Sequence, residues 1–307
     1  MDQLQLIFTG KAAIAGLCLL AGSIMDIRTR RIRDATWTVM ILACIPLLAW
    51  EMWLKGADQN PVSLISLMLP VGGMLFILFG YPEPAKALKG SREDILFSVI
   101  YLACIAGPVI AFIAGDRGLI GPVLISFVFM ILYFVLYQVP IAGTRIIHGG
   151  ADAKCLMALA AVFPWYVRNI PYQIGPFYEI LGDFSQFGTI FNIHLSVLFN
   201  GAVLATLVLV IVLPVMNIIR GDFKIPRMFT AYRMSTDKIV GRHVWVILEH
   251  KKKKKVEPTE KVQRRLIEIG MEKVWVTPKI PFILYLFLGF LIQMIVGNLV
   301  AILFFMF

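Results

Sequence analysis

The run Ala13-Ile14-Ala15-Gly16-Leu17-Cys18-Leu19-Leu20-Ala21-Gly22-Ser23-Ile24-Met25 is followed at once by Asp26-Ile27-Arg28-Thr29-Arg30-Arg31. An apolar stretch that breaks off at a carboxylate and a group of arginines reads as a membrane helix reaching water on its basic side. The rest of the chain agrees. Of its 307 residues, 59% are hydrophobic and only 16% charged, with a mean hydropathy of +0.81. An ordinary soluble domain is about 45–50% apolar and about a quarter charged. The excess is too large for a core under a polar skin, so the composition implies a polytopic membrane protein. Cys18, Cys44, Cys104 and Cys155 lie far apart with no CxxC pair, which excludes a zinc ribbon and gives no support for a disulfide framework. The formal charge of +10 is distributed between apolar runs, which points to a lipid bilayer as partner and not to nucleic acid.

Crossing the hydrocarbon core takes about 20 mostly apolar residues. Eight stretches qualify or come close: 6–25, 36–54, 62–80, 95–114, 119–138, 152–166, 194–217 and 281–306. The sixth is short and begins with polar residues. The first lacks the basic start and small-residue cleavage site of a secretory signal, so it is expected to stay. Loops rich in Lys and Arg face the cytoplasm. Arg28, Arg30, Arg31 and Arg33 follow the first span, Lys86, Lys89 and Arg92 the third, and Arg145 and Lys154 lie between the fifth and sixth. Segment 218–280 holds most of the remainder, including the run Lys251 to Lys255. The alternation predicts an all-α polytopic membrane protein of about eight transmembrane helices, both termini outside, with a small cytoplasmic α+β domain. The expected divisions are a membrane body over 1–217, the basic segment 218–280 and a last transmembrane helix over 281–307.

Within 218–280, His243-Val244-Trp245-Val246-Ile247-Leu248 reads as a strand and Val274-Trp275-Val276 as a second, both rich in β-branched and aromatic residues. Pro258-Thr259-Glu260 opens an amphipathic helix whose apolar side is Leu266, Ile267 and Ile269, with Gly270 as its stop. The lysine run is expected in a solvated hairpin or loop, or against anionic lipid. The stretch 167–193 carries interfacial aromatics, among them Tyr172, Phe177 and Phe184.

Ionisable groups at membrane depth are costly and point to function by default. Lys11 and His194 are near enough to the outer end of their spans to snorkel to the interface; Glu51 lies near the outer end of the second span. Asp34 precedes Ala35-Thr36-Trp37 and is placed to cap that helix. Asp26 is different, because a carboxylate at the end of a helix faces the negative pole of its dipole. It either pairs with Arg28 or Arg30 or has work to do. Asp152 follows Gly149-Gly150-Ala151 and precedes an apolar run from Cys155. It can be an N-cap behind a glycine hinge, or a reactive group beside a backbone that comes close to a neighbour. The loop assignment brings both aspartates to the cytoplasmic face. Two carboxylates held together cannot easily both ionise, and such a pair can activate water against a peptide bond.

Gly149-Gly150-Ala151-Asp152-Ala153-Lys154, together with Asp26-Ile27-Arg28-Thr29-Arg30-Arg31-Ile32 at the end of the first span, resembles the type IV prepilin peptidase family, and its archaeal preflagellin peptidase branch more closely. These are GxGD-type membrane aspartyl proteases that cut the short basic leader from pilin-like precursors at the cytoplasmic membrane boundary. Val274-Trp275-Val276-Thr277-Pro278-Lys279-Ile280-Pro281-Phe282 also resembles the entrance to the last helix of the archaeal branch. Ala151 replaces the third-position glycine, as in the archaeal branch. The long separation between the aspartates implies two inserted spans around 62–114. The chain lacks the cysteine-rich insert of the bacterial enzymes, so cleavage without methyl transfer is expected.

The resemblance implies Asp26 and Asp152 as the catalytic dyad, with Gly149 and Gly150 leaving room for the substrate backbone. No metal and no cofactor is required. Arg145 and His148 lie close in sequence but are given no catalytic part. The helix dipoles alone put the shared proton on Asp26 and leave Asp152 ionised, though a coupled pair titrates as a pair. The expected partner is a membrane-inserted preflagellin or prepilin precursor; oligomeric state is not legible. Three other readings compete: a proton-coupled transporter with the aspartates as relay, a presenilin-type protease with deeper aspartates, and a membrane scaffold without catalysis. Transporters usually carry internal repeats and midplane charges, and these aspartates lie at the edge.

Overall fold

The structure is a computed structural model that describes residues 2–55, 117–138, 149–165, 192–248 and 254–299, with isolated positions between 65 and 113 and Ile147. The expected spans at 62–80 and 95–114, the aromatic stretch 167–191, Arg145, His148 and Lys251 to Lys253 lie outside the described segments. The helices are α1 (Gln3–Thr29), α2 (Ala35–Leu54), α3 (Arg117–Gln138), α4 (Gly150–Val162), α5 (Ile193–Leu207), α6 (Leu213–Ile219), α7 (Glu260–Glu268) and α8 (Phe282–Ile295). The strands are β1 (Tyr232–Ser235), β2 (Val244–Leu248), β3 (Lys254–Val256) and β4 (Lys273–Pro278). The protein is thus mostly helical with a small sheet towards its C-terminal end. Among the described residues, Gln3–Thr29, Ala35–Leu54 and Ile193–Ile219 are long and apolar enough to cross a membrane. The chain forms two compact units, Met1–Gly201 with Phe282–Phe307, and Ala202–Pro281.

In the first unit, α1 packs on α2 and α8, while α4 is covered by α2, α3 and α8. The sequence of α4, Cys155-Leu156-Met157-Ala158-Leu159-Ala160-Ala161-Val162, is apolar all round and is buried all round, as such a helix must be. Its alanines keep the neighbouring helices close. At 13 residues it is only about 20 Å long, short of the roughly 30 Å hydrocarbon core. The outward faces of α1 and α2 carry Leu17 and Val39, which are 67% and 56% exposed, as lipid-facing side chains would be. Helix α8 stops at Ile295 and the Gly297 backbone turns to φ 105°, so the run expected over 281–306 is interrupted there; residues 300–307 lie outside the described segments.

Two ionisable groups behave differently from the expectation. Lys11 does not snorkel: it is 1% exposed, its Nζ lies 2.5 Å from Glu51 Oε2, and it donates to the carbonyl oxygen of Val162 at 3.0 Å. His194 is likewise fully buried, its Nδ1 hydrogen-bonded to the Tyr133 hydroxyl at 3.0 Å. Partners on other helices decide both cases, and no local pattern announces them.

In the second unit an antiparallel sheet runs β1-β4-β2-β3. Val246 stands opposite Val256 on one side and Val276 on the other. The core beneath is Ile239, Val244, Val246, Leu266, Val274 and Val276. β2 and β4 fall where the two expected strands lie; β1 and β3 are additional, and β3 takes in Lys254 and Lys255 of the lysine run. Thr259, whose hydroxyl accepts from the Val262 N–H at 3.4 Å, caps α7, so Pro258 precedes the cap and does not open the helix. The buried face of α7 is Leu266 with Val262, whereas Ile267 and Ile269 are exposed: residues four apart share a helix face and adjacent ones do not. The turn Val208–Val212 is π-helical. Pro214 lacks the N–H that an α-helical turn would direct back to Val210, and its ring crowds that carbonyl.

Candidate active site

Asp26 sits in the last turn of α1, which closes at Arg30 in the left-handed conformation with φ 55°. The Arg30 N–H donates to the Asp26 carbonyl at 3.1 Å, and its Nη1 is 3.7 Å from Asp26 Oδ1. The pairing with Arg30 foreseen as the bland role is therefore present. The second carboxylate oxygen does something else. Asp26 Oδ2 accepts from the backbone N–H of Ile283, at 3.3 Å, in the first turn of α8. The carboxylate at the negative end of its own helix is thus held at the positive end of another, where a carboxylate is favoured. Its side chain is 13% exposed.

Asp152 is the third residue of α4, whose N-cap is Gly149. Its backbone N–H donates to Gly149 O at 3.2 Å, and its carboxylate folds back over the Gly149 Cα. A Cβ at position 149 would lie 2.7 Å from Asp152 Cγ and nearer still to Oδ2. Gly149 has φ −95° and ψ 118°, a region open to every residue, so the glycine is required by the carboxylate and not by backbone strain. Gly150 has a different neighbour: a Cβ there would lie 2.9 Å from the Tyr137 hydroxyl of α3. A Cβ at either glycine would thus meet a side chain of the protein itself. Tyr137, at the end of an unbroken apolar helix, carries no local signal that would have singled it out.

The two aspartates, on different helices, are near enough for the Asp26 charge to act on Asp152. Burial and this neighbouring charge both bear on Asp152, and the first turn of α8 bears on Asp26. Position on the parent helix is therefore not the sole influence on either carboxylate, in contrast to the argument from the dipoles of α1 and α4 alone.

Asp34 occupies the N-cap position of α2 but makes no side-chain cap. Its Oδ2 is instead 2.5 Å from the Nζ of Lys154, two residues beyond Asp152. The same motif that carries the candidate carboxylate is thus tied to α2. What the arrangement offers chemically is two carboxylates near enough for the charge of one to act on the other, one beside an arginine and a backbone N–H and the other in a glycine cradle.

Residues 223–299 match the family model described as Archaeal Peptidase A24 C-terminus Type II. That span takes in the sheet and α8, including the Ile283 N–H that holds Asp26, but neither aspartate. A preflagellin peptidase of Methanocaldococcus jannaschii is 24% identical over 212 residues, covering 67% of this chain and 85% of the relative. No solved structure matches the chain significantly. Together these findings support the archaeal preflagellin peptidase family, the branch that the motifs around Asp26 and Asp152 resemble.

Proposed function

We propose that this chain is a multi-pass membrane aspartyl endopeptidase that removes the short basic leader from preflagellin or type IV prepilin-like precursors at the cytoplasmic boundary of the membrane. The observation that carries this reading is the approach of Asp26 and Asp152, which come from opposite halves of the membrane body and act on one another's charge. In that reading, eight spans put both aspartates on the cytoplasmic side.

A water molecule held between the two carboxylates is the nucleophile. The ionised member takes a proton from it as the oxygen adds to the scissile carbonyl, while the protonated member gives its proton to the carbonyl oxygen. The tetrahedral gem-diol collapses as one of its hydroxyls returns a proton to the ionised carboxylate, the other carboxyl gives its proton to the amine nitrogen, and the C–N bond breaks. The dyad ends with one proton, as it began. The Arg30 guanidinium and the Ile283 N–H stabilise the ionised form of Asp26, and the Gly149 cradle holds Asp152 facing the gap. Carboxylates at this depth reach the junction between a basic leader and an apolar helix, which fits the precursor. No methyl transfer follows the cut.

The test is to express the wild type, Asp26→Asn and Asp152→Asn with a preflagellin precursor and follow its shortening by mass. Each asparagine variant is expected to insert, fold and leave the precursor uncut, a loss of at least about 10²–10⁴ in rate, the range for removal of a general acid or base. Normal processing by either variant would reject the dyad.

A further inference from the structure

We propose that the Asp34–Lys154 ion pair is a positioning device that sets the rotation of α4, and with it the place of Asp152 opposite Asp26; this rests on the dyad proposed above. Asp152 and Lys154 are two residues apart in one helical turn. Successive residues advance by about 100°, so their side chains leave the helix on nearly opposite sides. Lys154 reaches back to Asp34 at the start of α2, with Nζ 2.5 Å from Oδ2. A tether on one side of the turn holds the carboxylate on the other. The far end of α4 is tied to α2 by way of α1: the Val162 carbonyl accepts from Lys11 of α1, whose partner Glu51 belongs to α2. A cation at the carbonyl end of α4 is also favoured by that helix's dipole. α4 is therefore secured at both ends by a lysine paired to an acid of α2, and the N-terminal tie lies in the turn that carries Asp152.

The two ties differ in surroundings. Lys11 and Glu51 are buried, whereas the side chains of Lys154 and Asp34 are 20% and 47% exposed. A pair so exposed contributes little to folding stability, so its loss should leave the fold standing and act on geometry alone. A surface group about 5–6 Å from the helix axis moves about 1 Å when the helix turns by about 10°. A misplacement of about 1 Å can cost on the order of 10²-fold in rate.

Lys154→Met, Asp34→Asn, their double variant and Lys154→Arg are compared in the full-length protein, reconstituted in lipid, for kcat and KM on a precursor. Each single variant is expected to lose about 10–100-fold in kcat with KM and the unfolding temperature unchanged. The double variant should be no worse than either single one, and Lys154→Arg should restore most of the rate. Unchanged kcat, additive losses, or a KM that rises in proportion to the basic charge of the leader would overturn the proposal, the last by making Asp34 a substrate contact. A second readout needs no activity. In a chain whose native cysteines are replaced by alanine, Asp26→Cys and Asp152→Cys are joined by a short bifunctional maleimide. The yield should fall severalfold when Lys154→Met is added and hold with Lys154→Arg; equal yields overturn the inference. No cross-link with Lys154 intact would instead reject the dyad itself, and this inference with it.

Discussion

Replacing Gly149 by alanine should disable the site while leaving the fold intact. The added Cβ would stand 2.7 Å from Asp152 Cγ and closer to Oδ2, whereas carbon atoms in contact rest about 3.5–4.0 Å apart. The carboxylate must therefore retreat by about 1 Å, which can cost on the order of 10²-fold in rate, equivalent to about 2.7 kcal/mol of transition-state stabilisation. Folding has no corresponding reason to suffer. At φ −95° and ψ 118° alanine is unstrained, and restricting the unfolded chain typically stabilises by about 0.4–1 kcal/mol. The assay is paired: steady-state cleavage of a preflagellin precursor, and thermal unfolding of the same sample in detergent. The expected result is a fall in kcat of about two decades with an unfolding temperature at or above wild type. A variant that cleaves at the wild-type rate would refute the reasoning, because the carboxylate would then not need the place it occupies over Gly149.

Gly150→Ala brings a methyl group to 2.9 Å from the Tyr137 hydroxyl; a fall in precursor cleavage is expected, recovered in part by adding Tyr137→Phe, and no recovery would rule out that contact as the cause. Lys11→Met leaves the buried Glu51 only the longer pairing with Lys55, 3.8 Å from its other oxygen, a change expected to cost less than the roughly 3–5 kcal/mol of a buried charge stripped of every partner. Denaturant unfolding should show that loss, and a Lys11→Met/Glu51→Leu double variant should regain much of it. In the sheet unit, Lys279 hydrogen-bonds the exposed Glu257 at 2.9 Å and holds its carboxyl below the usual range. A lowered folded-state value means the contribution is present above the ordinary glutamate range and is lost as pH falls from there through the lower folded-state value. Thermal unfolding measured down that window should therefore steepen in the wild type more than in Glu257→Gln, and identical curves would dismiss the pair.

The sequence made legible whatever depends on local pattern. Apolar runs announced α1, α2 and the long helix Ile193–Ile219, and β-branched residues announced β2 and β4; the two aspartates picked out by their motifs lie near enough for the Asp26 charge to act on Asp152. What escaped depends on partners far along the chain. Lys11 looked free until Glu51 and Val162 came to it, and Asp34 looked like a cap until Lys154 took its carboxylate. Asp26 looked unfavourably placed because the first turn of α8 is remote in sequence. β1 is a four-residue strand and β3 is drawn from the lysine run, so neither carries the alternation that marks a strand. Tyr137 is one aromatic in an apolar helix, and only packing sets it against Gly150.

The central claim is that two coupled carboxylates share the work of splitting water. Its most direct measurement is kcat/KM for precursor cleavage across pH, for the wild type and for each asparagine variant. The account predicts a bell for the wild type, with one limb for the member that must be ionised and one for the member that must be protonated, and no bell above background for Asp26→Asn or Asp152→Asn. A single-limbed profile, or a bell surviving in either variant, would contradict it.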